Sequence, residues 1–192
     1  QTSEIKDDWS TRPLTMVLVD IETDGNSGNA GRDKLVNMLP MTLQIEGRII
    51  MIERKILVKL LEELKLSTSS LADPLTSLKI GRLLSVNYFL NGSIISDKKG
   101  LTIILRCVDT ERSLVKKVIS SESSNGEIDA NIVNDLGRQI IEWIRTDFPL
   151  RGKIISVSGN KCQIDLGHFH GLKKGDRLDI LDGRSGNSGA QI

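Results

Sequence analysis

The sequence predicts an α/β fold, a mixed β-sheet with packed helices in the order β-α-β-α-α-β-β-β-α, followed by a small β-barrel-like module. Three observations carry this. An apolar run, "LTMVLVDI" (14–21), leads through a segment of helical spacing to a second short apolar run, the opening of a parallel strand pair. Two amphipathic stretches then precede three β-rich segments joined by turn residues, which is an antiparallel meander. Beyond Pro149 the pattern changes to short β segments separated by Ser-Gly-Asn and Gly-rich turns.

Each element follows from its residues. The first strand is near-continuously apolar and ends in acids, as expected of a strand buried on both faces. After the glycines, Leu35, Met38, Leu39 and Leu43 have helical spacing, with a kink expected at Pro40. "GRIIMIE" (47–53) reads as a second buried strand. In the next helix Ile56, Leu57, Leu60, Leu61 and Leu64 form one apolar face, read as core in preference to a partner-binding stripe. Asp73 as N-cap and Pro74 at the first position begin a further helix. "NYFLNGSIIS", "LTIILRCVDT" and "SLVKKVISSES" are three neighbouring antiparallel strands, and Ile128, Ile132, Leu136, Ile140 and Ile144 line the buried side of a last helix. The organisation is a leader or linker at 1–13, an α/β domain at 14–148, a partial β module at 149–183 and a Gly/Ser-rich tail at 184–192.

Composition narrows the function. With 39% hydrophobic and 27% charged residues the chain can bury a core, and with 3% aromatics that core is aliphatic. The same scarcity argues against base stacking, and a net charge of +1 offers no footprint for nucleic acid. No apolar run reaches the roughly 18 residues of a membrane-spanning helix. Cys107 and Cys162 share no motif with each other or with a metal-ligand pattern.

The stretch "IERKILVKLLEELKLSTSSLADPLTSLKIGRLLSVNYFLNGSI" resembles the curli-type outer-membrane secretion family (curli production assembly/transport component G) and its periplasmic relatives. The resemblance rests on Glu53-Arg54 after a strand, on Leu57, Leu60, Leu61, Glu63 and Leu64 of the helix, on Gly81 to Leu84, and on Asn91-Gly92-Ser93. In "LTIILRCVDTERSLV" a Val-Asp-Thr turn reverses the chain, and the likeness extends over about residues 14 to 147. "LRGKIISVSGNKCQIDLGHFHGLKKGDRLDIL" is similar to the C-terminal module of flagellar assembly protein T, through Gly152-Lys153-Ile154, Ile164-Asp165-Leu166-Gly167 and Gly171 to Asp176. The first resemblance implies an anticodon-binding-like or TolB N-terminal-like architecture and a periplasmic protein held at the outer membrane by a lipidated cysteine. No cysteine lies near Gln1, so any signal or tether is expected in a preceding segment. The family's channels are rings whose subunits each add two long amphipathic hairpins to a barrel. Here "SDKKG" and "DTERS" are short and charged and "LTIILRCV" is apolar on both faces, so no pore is expected.

Candidate sites are few. Gly25, Gly28 and Gly31 have neither the P-loop ending nor the dinucleotide spacing. In the resembled channels the loop after the first strand narrows the ring. The corresponding residues Gly25, Asn26, Ser27, Gly28, Asn29 and Gly31 form a connection here, a candidate partner-contact loop. Asp20, Glu22 and Asp24 end the first strand, where ligands of open sheets gather. They look loosely like a haloacid dehalogenase nucleophile motif, with Glu22 in place of its Asp and no downstream lysine to complete the set. His168 and His170 in "GHFHG" could pair on a metal with Asp165 or Asp176, but read more simply as a turn. Glu53 suits a helix N-terminus, and Arg54 can pair with a neighbouring acid. No nucleophile–base pair is present, so no catalytic, metal or cofactor residue is assigned.

These observations predict a non-enzymatic cell-envelope assembly or adaptor protein of a secretion, surface-structure or flagellar-associated complex. Its partners would be other envelope proteins and copies of itself, with an apolar patch at the interface. The alternatives are a metal-dependent phosphate-handling enzyme using Asp20, Glu22 and Asp24, and a small-ligand module near Gly25 to Gly31.

Overall fold

A computed structural model of the chain describes residues 13–24, 29–45, 47–98, 100–181 and 189–191. Five strands form one mixed sheet: β1 (Leu14–Thr23), β2 (Ile49–Ile52), β3 (Tyr88–Asp97), β4 (Gly100–Asp109) and β5 (Leu114–Ser123). Their spatial order is β2-β1-β3-β4-β5. β1 is parallel to both β2 and β3, and β3, β4 and β5 form the antiparallel meander. The class is the mixed α/β fold that the strand–helix–strand opening implies.

Helices cover the sheet unequally. α1 (Asn29–Gln44) and α4 (Ala130–Asp147) lie on one face, where Leu35, Leu39, Leu43, Leu136, Ile140 and Ile144 meet Leu14, Met16, Leu18 and Leu90. α2 (Arg54–Glu63) and α3 (Pro74–Leu84) lie on the other, where Leu57, Leu61 and Ile80 meet Val17, Val19 and Phe89. β1 is therefore buried on both faces, as its unbroken apolar run requires. The second face of β4, β5 and the end of β3 has no helix over it, so Ile95, Val115 and Val118 are exposed and Ile104 is only partly buried. This corrects the expectation that "LTIILRCV" is a core strand on both sides.

Local signals are placed as their chemistry dictates. Asp73 accepts a hydrogen bond from the Thr76 amide at 2.8 Å and from its hydroxyl, with Pro74 at the first position of α3. That geometry holds the Asp73 carboxyl below its ordinary pKa, chiefly through the Thr76 amide. Asp129 does the same for α4 through Ile132. Four details depart from expectation. α1 starts at Asn29, not after the glycines, and continues through Pro40 to Gln44. Ile56 is 45% exposed, because the core-facing stripe of α2 is centred on Leu57 and Leu61. Ile50 of β2 is 46% exposed, since β2 is an edge strand. Ile132 packs only from the margin, and Val133 and Trp143 are the buried residues beside it. The core is also less aliphatic than composition implies: Tyr88, Trp143 and Phe148 meet edge to face at 5.3–5.9 Å and pin the end of α4 to β3.

The turn after β4 closes the second face. Asp109 is buried and accepts from the amides of Glu111 and Arg112 at 2.8 and 3.0 Å. Thr110 donates to the carbonyl of Val86 at 2.6 Å and lies against Gly81 of α3. A Cβ on Gly81 would stand 2.5 Å from that of Thr110. The Val-Asp-Thr turn and the glycine that precede different strands are thus one contact.

Past Phe148 the chain forms a hairpin of β6 (Ile154–Ser158) and β7 (Lys161–Ile164), then a second ladder of β8 (Asp179–Leu181) and β9 (Gly189–Gln191). Among the described residues no closed barrel forms; the module is two separate two-stranded ladders. Residues 189–191 pair as a strand despite their glycine-rich context, because a ladder needs only backbone groups. Arg48 joins this region to the sheet: it is 7% exposed and donates to the carbonyls of Phe148 at 2.8 Å and His170 at 3.5 Å. Burial lowers its pKa.

Gly81→Ala is expected to destabilise the fold by about 1–2 kcal/mol in urea unfolding, overpacking against Thr110 outweighing the helix propensity of alanine. The two cysteines should also separate. Cys107 is fully buried and burial pushes its thiol up to about 12, while Cys162 is exposed. Titration with a thiol reagent should count one fast thiol in the native protein and two after unfolding.

Candidate functional site

The acids weighed as an alternative site sit at the carboxyl end of β1, where the sheet is irregular. β2 ends at Ile52, opposite Val17, so β1 runs past its neighbour without a strand beside it. Its register with β3 shifts between Leu18 and Asp20, a bulge at Val19. The carbonyls left without a ladder partner are taken by two arginines. Arg54, the first residue of α2, donates Nε–H to the Val19 carbonyl at 2.7 Å. Arg32, in the first turn of α1, donates Nε–H to the Ile21 carbonyl at 2.8 Å.

Both guanidinium groups also reach Asp20. Its Oδ1 lies 3.0 Å from Arg32 Nη2 and 3.2 Å from Arg54 Nη2, and accepts from the Ile21 amide at 2.9 Å. The carboxylate is spent on holding two helix starts to the strand end. A metal ion there would compete with two cations already in contact with the same oxygen. Glu22 and Asp24 are exposed. The three acids weighed as an alternative site do not converge: Asp20 is engaged and the other two point to solvent. Among the described residues no group of three or more His, Cys, Asp or Glu side chains could hold a metal.

Beside this latch a cavity of about 410 Å³ opens on the uncovered sheet face, lined by Asp20, Glu22, Ser69, Asn91, Arg106 and Ser113 among others. Arg106 Nη1 donates to Ser93 Oγ at 3.3 Å. A second cavity, about 520 Å³, lies between the α1–β2 turn and the 3₁₀ turn at His168–His170, with Ile45, Ile50, Phe169 and Leu172 in its walls.

The remaining predicted residues are placed as follows. Gly25, Asn26, Ser27 and Gly28 lie outside the described residues, whereas Asn29 and Gly31 belong to α1 and not to a loop. Glu53 precedes α2 without a side-chain cap bond and pairs with Lys55. Leu60, Leu61 and Leu64 face the second core cluster, and Glu63 is exposed. Gly92 lets Leu105 and Ile21 close over β3; a Cβ there would be 2.9 Å from Leu105. His168 and His170 occupy the 3₁₀ turn, with His170 Nδ1 accepting from the Gly167 amide at 2.9 Å. Asp165 accepts from the Lys153 amide at 2.6 Å across the base of the β6–β7 hairpin, and Asp176 accepts from the Lys173 amide at 2.7 Å within its own turn. Sequence reasoning anticipated a partner for Arg54 but not Arg32, whose signal is its position one helical turn into α1. Arg48 was missed because burial of a lone arginine leaves no pattern.

Comparison with known proteins supports the resemblance. Residues 20–99 match the family model described as curli production assembly/transport component CsgG, a narrower span than the 14–147 expected from motifs. A sequence search of curated proteins found no match. Among solved structures, the C-terminal domain of LpoB from Salmonella enterica is similar at 15% identity and TM-score 0.48, over 59% of this chain and 84% of that one. Lipoprotein GNA1162 from Neisseria meningitidis is similar at 12% identity and TM-score 0.44, over 70% and 99%. PelC from Paraburkholderia phytofirmans is similar at 11% identity and TM-score 0.43, over 68% and 87%.

Asp20→Asn should cost about 1–2 kcal/mol in urea unfolding by weakening two charged hydrogen bonds, with the native far-UV spectrum retained because both Nε–carbonyl bonds remain. Glu22→Gln and Asp24→Asn should each stay within about 0.5 kcal/mol of the parent.

Proposed function

We propose that the chain is a non-enzymatic cell-envelope protein, a periplasmic assembly or adaptor unit that works through protein–protein contacts within a secretion, surface-structure or flagellar-associated complex. The observation that carries this is the match of residues 20–99 to the curli production family, which begins at Asp20 itself and takes in both helices of the latch. The geometry is consistent with it. Asp20 at the end of β1 is committed to structure, and the apolar surface of β5 is left open. A protein that acts by contact needs a rigid sheet presenting such a surface, and needs no reacting group. The domain at 14–148 is the assembly unit in this reading, and the β module after it is a second contact surface. Outer-membrane anchoring would come from a lipid tether outside residues 1–192.

The test is affinity capture from detergent-solubilised cell envelopes with the chain as bait. A discrete envelope complex, retained at moderate salt and lost when the bait is unfolded, is the expected result. Capture of no envelope component overturns the proposal. The metal-dependent alternative has its own measurement: Mg²⁺ should leave the melting temperature unchanged, and a rise that Asp20→Asn abolishes would restore it.

A further inference from the structure

The sheet ends at β5, which pairs with β4 on one side and, among the described residues, with no strand on the other. An open edge offers a row of N–H and C=O groups to another strand. Its outward-facing set can be identified. Gln139 Nε2, reaching down from α4, donates to the Ser120 carbonyl at 3.1 Å, so Ser120 points away from β4, and by alternation so do Val118 and Glu122. Lys116 is the extra residue of the bulge between the Cys107 and Val108 pairings, which releases its backbone from β4. On the helix-free face the edge carries Val115 and Val118, both more than half exposed.

Charge sorts the ways in which this edge can be filled. Lysines on an edge ordinarily deter pairing, and parallel pairing of two β5 strands would set Lys116 against Lys116. Antiparallel pairing centred on Ile119 does the opposite. It places Lys116 across from Glu122, twice by symmetry, and Val118 across from Ser120, with the two Val118 side chains as diagonal neighbours on the open face. The residues that meet in this register are the outward-facing set, so hydrogen bonding and charge select the same arrangement. A shift by one residue mixes outward with inward groups, and a shift by two separates the charges. Lys116 and Glu122 are both exposed.

We propose that β5 pairs with β5 of a second copy of this chain, antiparallel about Ile119, joining two five-stranded sheets into one continuous sheet. The Gln139 side chain shares or yields the Ser120 carbonyl on pairing. The partner named here rests on the reading of the chain as one that works by protein contact.

Sedimentation equilibrium of the full chain tests it, in reductant because Cys162 is exposed, for the parent, K116E, E122K and the double variant K116E/E122K. The expected result is a monomer–dimer equilibrium that each single exchange weakens about tenfold and that the double exchange restores. Matching far-UV spectra and unfolding midpoints across the four proteins would assign the change to association. A monomer at every concentration overturns the proposal, and so does a dimer or larger ring of equal affinity in all four proteins. Envelope capture by a monomeric chain would remove self-pairing and leave the envelope reading standing. A charge-sensitive dimer that captures no envelope component would do the reverse.

Discussion

The architecture depends on a mismatch in strand length. β1 is ten residues long and β2 is four, so the carboxyl half of β1 lies beside no neighbour on one side. Buried carbonyls without partners cost roughly as much as lost hydrogen bonds, and here the edge also adjoins the core. Arg54 and Arg32 fill the gap from the first turns of α2 and α1, and Asp20 pairs with both. One carboxylate and two guanidinium groups thus set where both helices leave the sheet. From those two starting points the helices diverge to opposite faces, which is why β1 must be apolar on both sides.

That divergence also explains the imbalance of the sheet. On one face α1 and α4 together span all five strands, with the Tyr88–Trp143–Phe148 cluster closing the end of α4. On the other, α2 and α3 reach only as far as Val108, where the Thr110–Gly81 contact stops them. The rest of that face, with Ile95, Ile104 and Val118, is left to solvent. A hydrophobic strand face with no covering helix is costly in water, and it is where this molecule has binding energy to give.

Asp20 shows how an acid at a strand end can carry structural chemistry. Acids after a buried strand are the pattern of many active sites, and the same position is where helices start and need anchoring. What separates the two roles is the company the carboxylate keeps. Asp20 has two arginines and a backbone amide on one oxygen, an arrangement that favours a fixed anion over a metal ligand or a nucleophile.

Much of the fold was legible in the residues themselves. The two-faced burial of β1 follows from its unbroken apolar run, the start of α3 from Asp73-Pro74, the meander from its turn residues, and the core stripe of α2 from Leu57 and Leu61. These are local or periodic signals, and the physics behind them acts over a few residues. What was not legible depends on which distant residues meet. The two cations that meet at Asp20 come from Arg32 and Arg54, one 12 and one 34 positions further along the chain. Gly81 and Thr110 are separate motif letters until the fold presses one against the other. Arg48 has no pattern at all until the chain after α4 covers it. The exposure of Val118 depends on how far α3 extends, which no spacing in β5 records. Sequence by itself determined the elements and the faces they must bury; only tertiary structure decided which polar groups would be used up in holding them together and which surface would be left over, because both are settled by contacts between residues far apart in the chain.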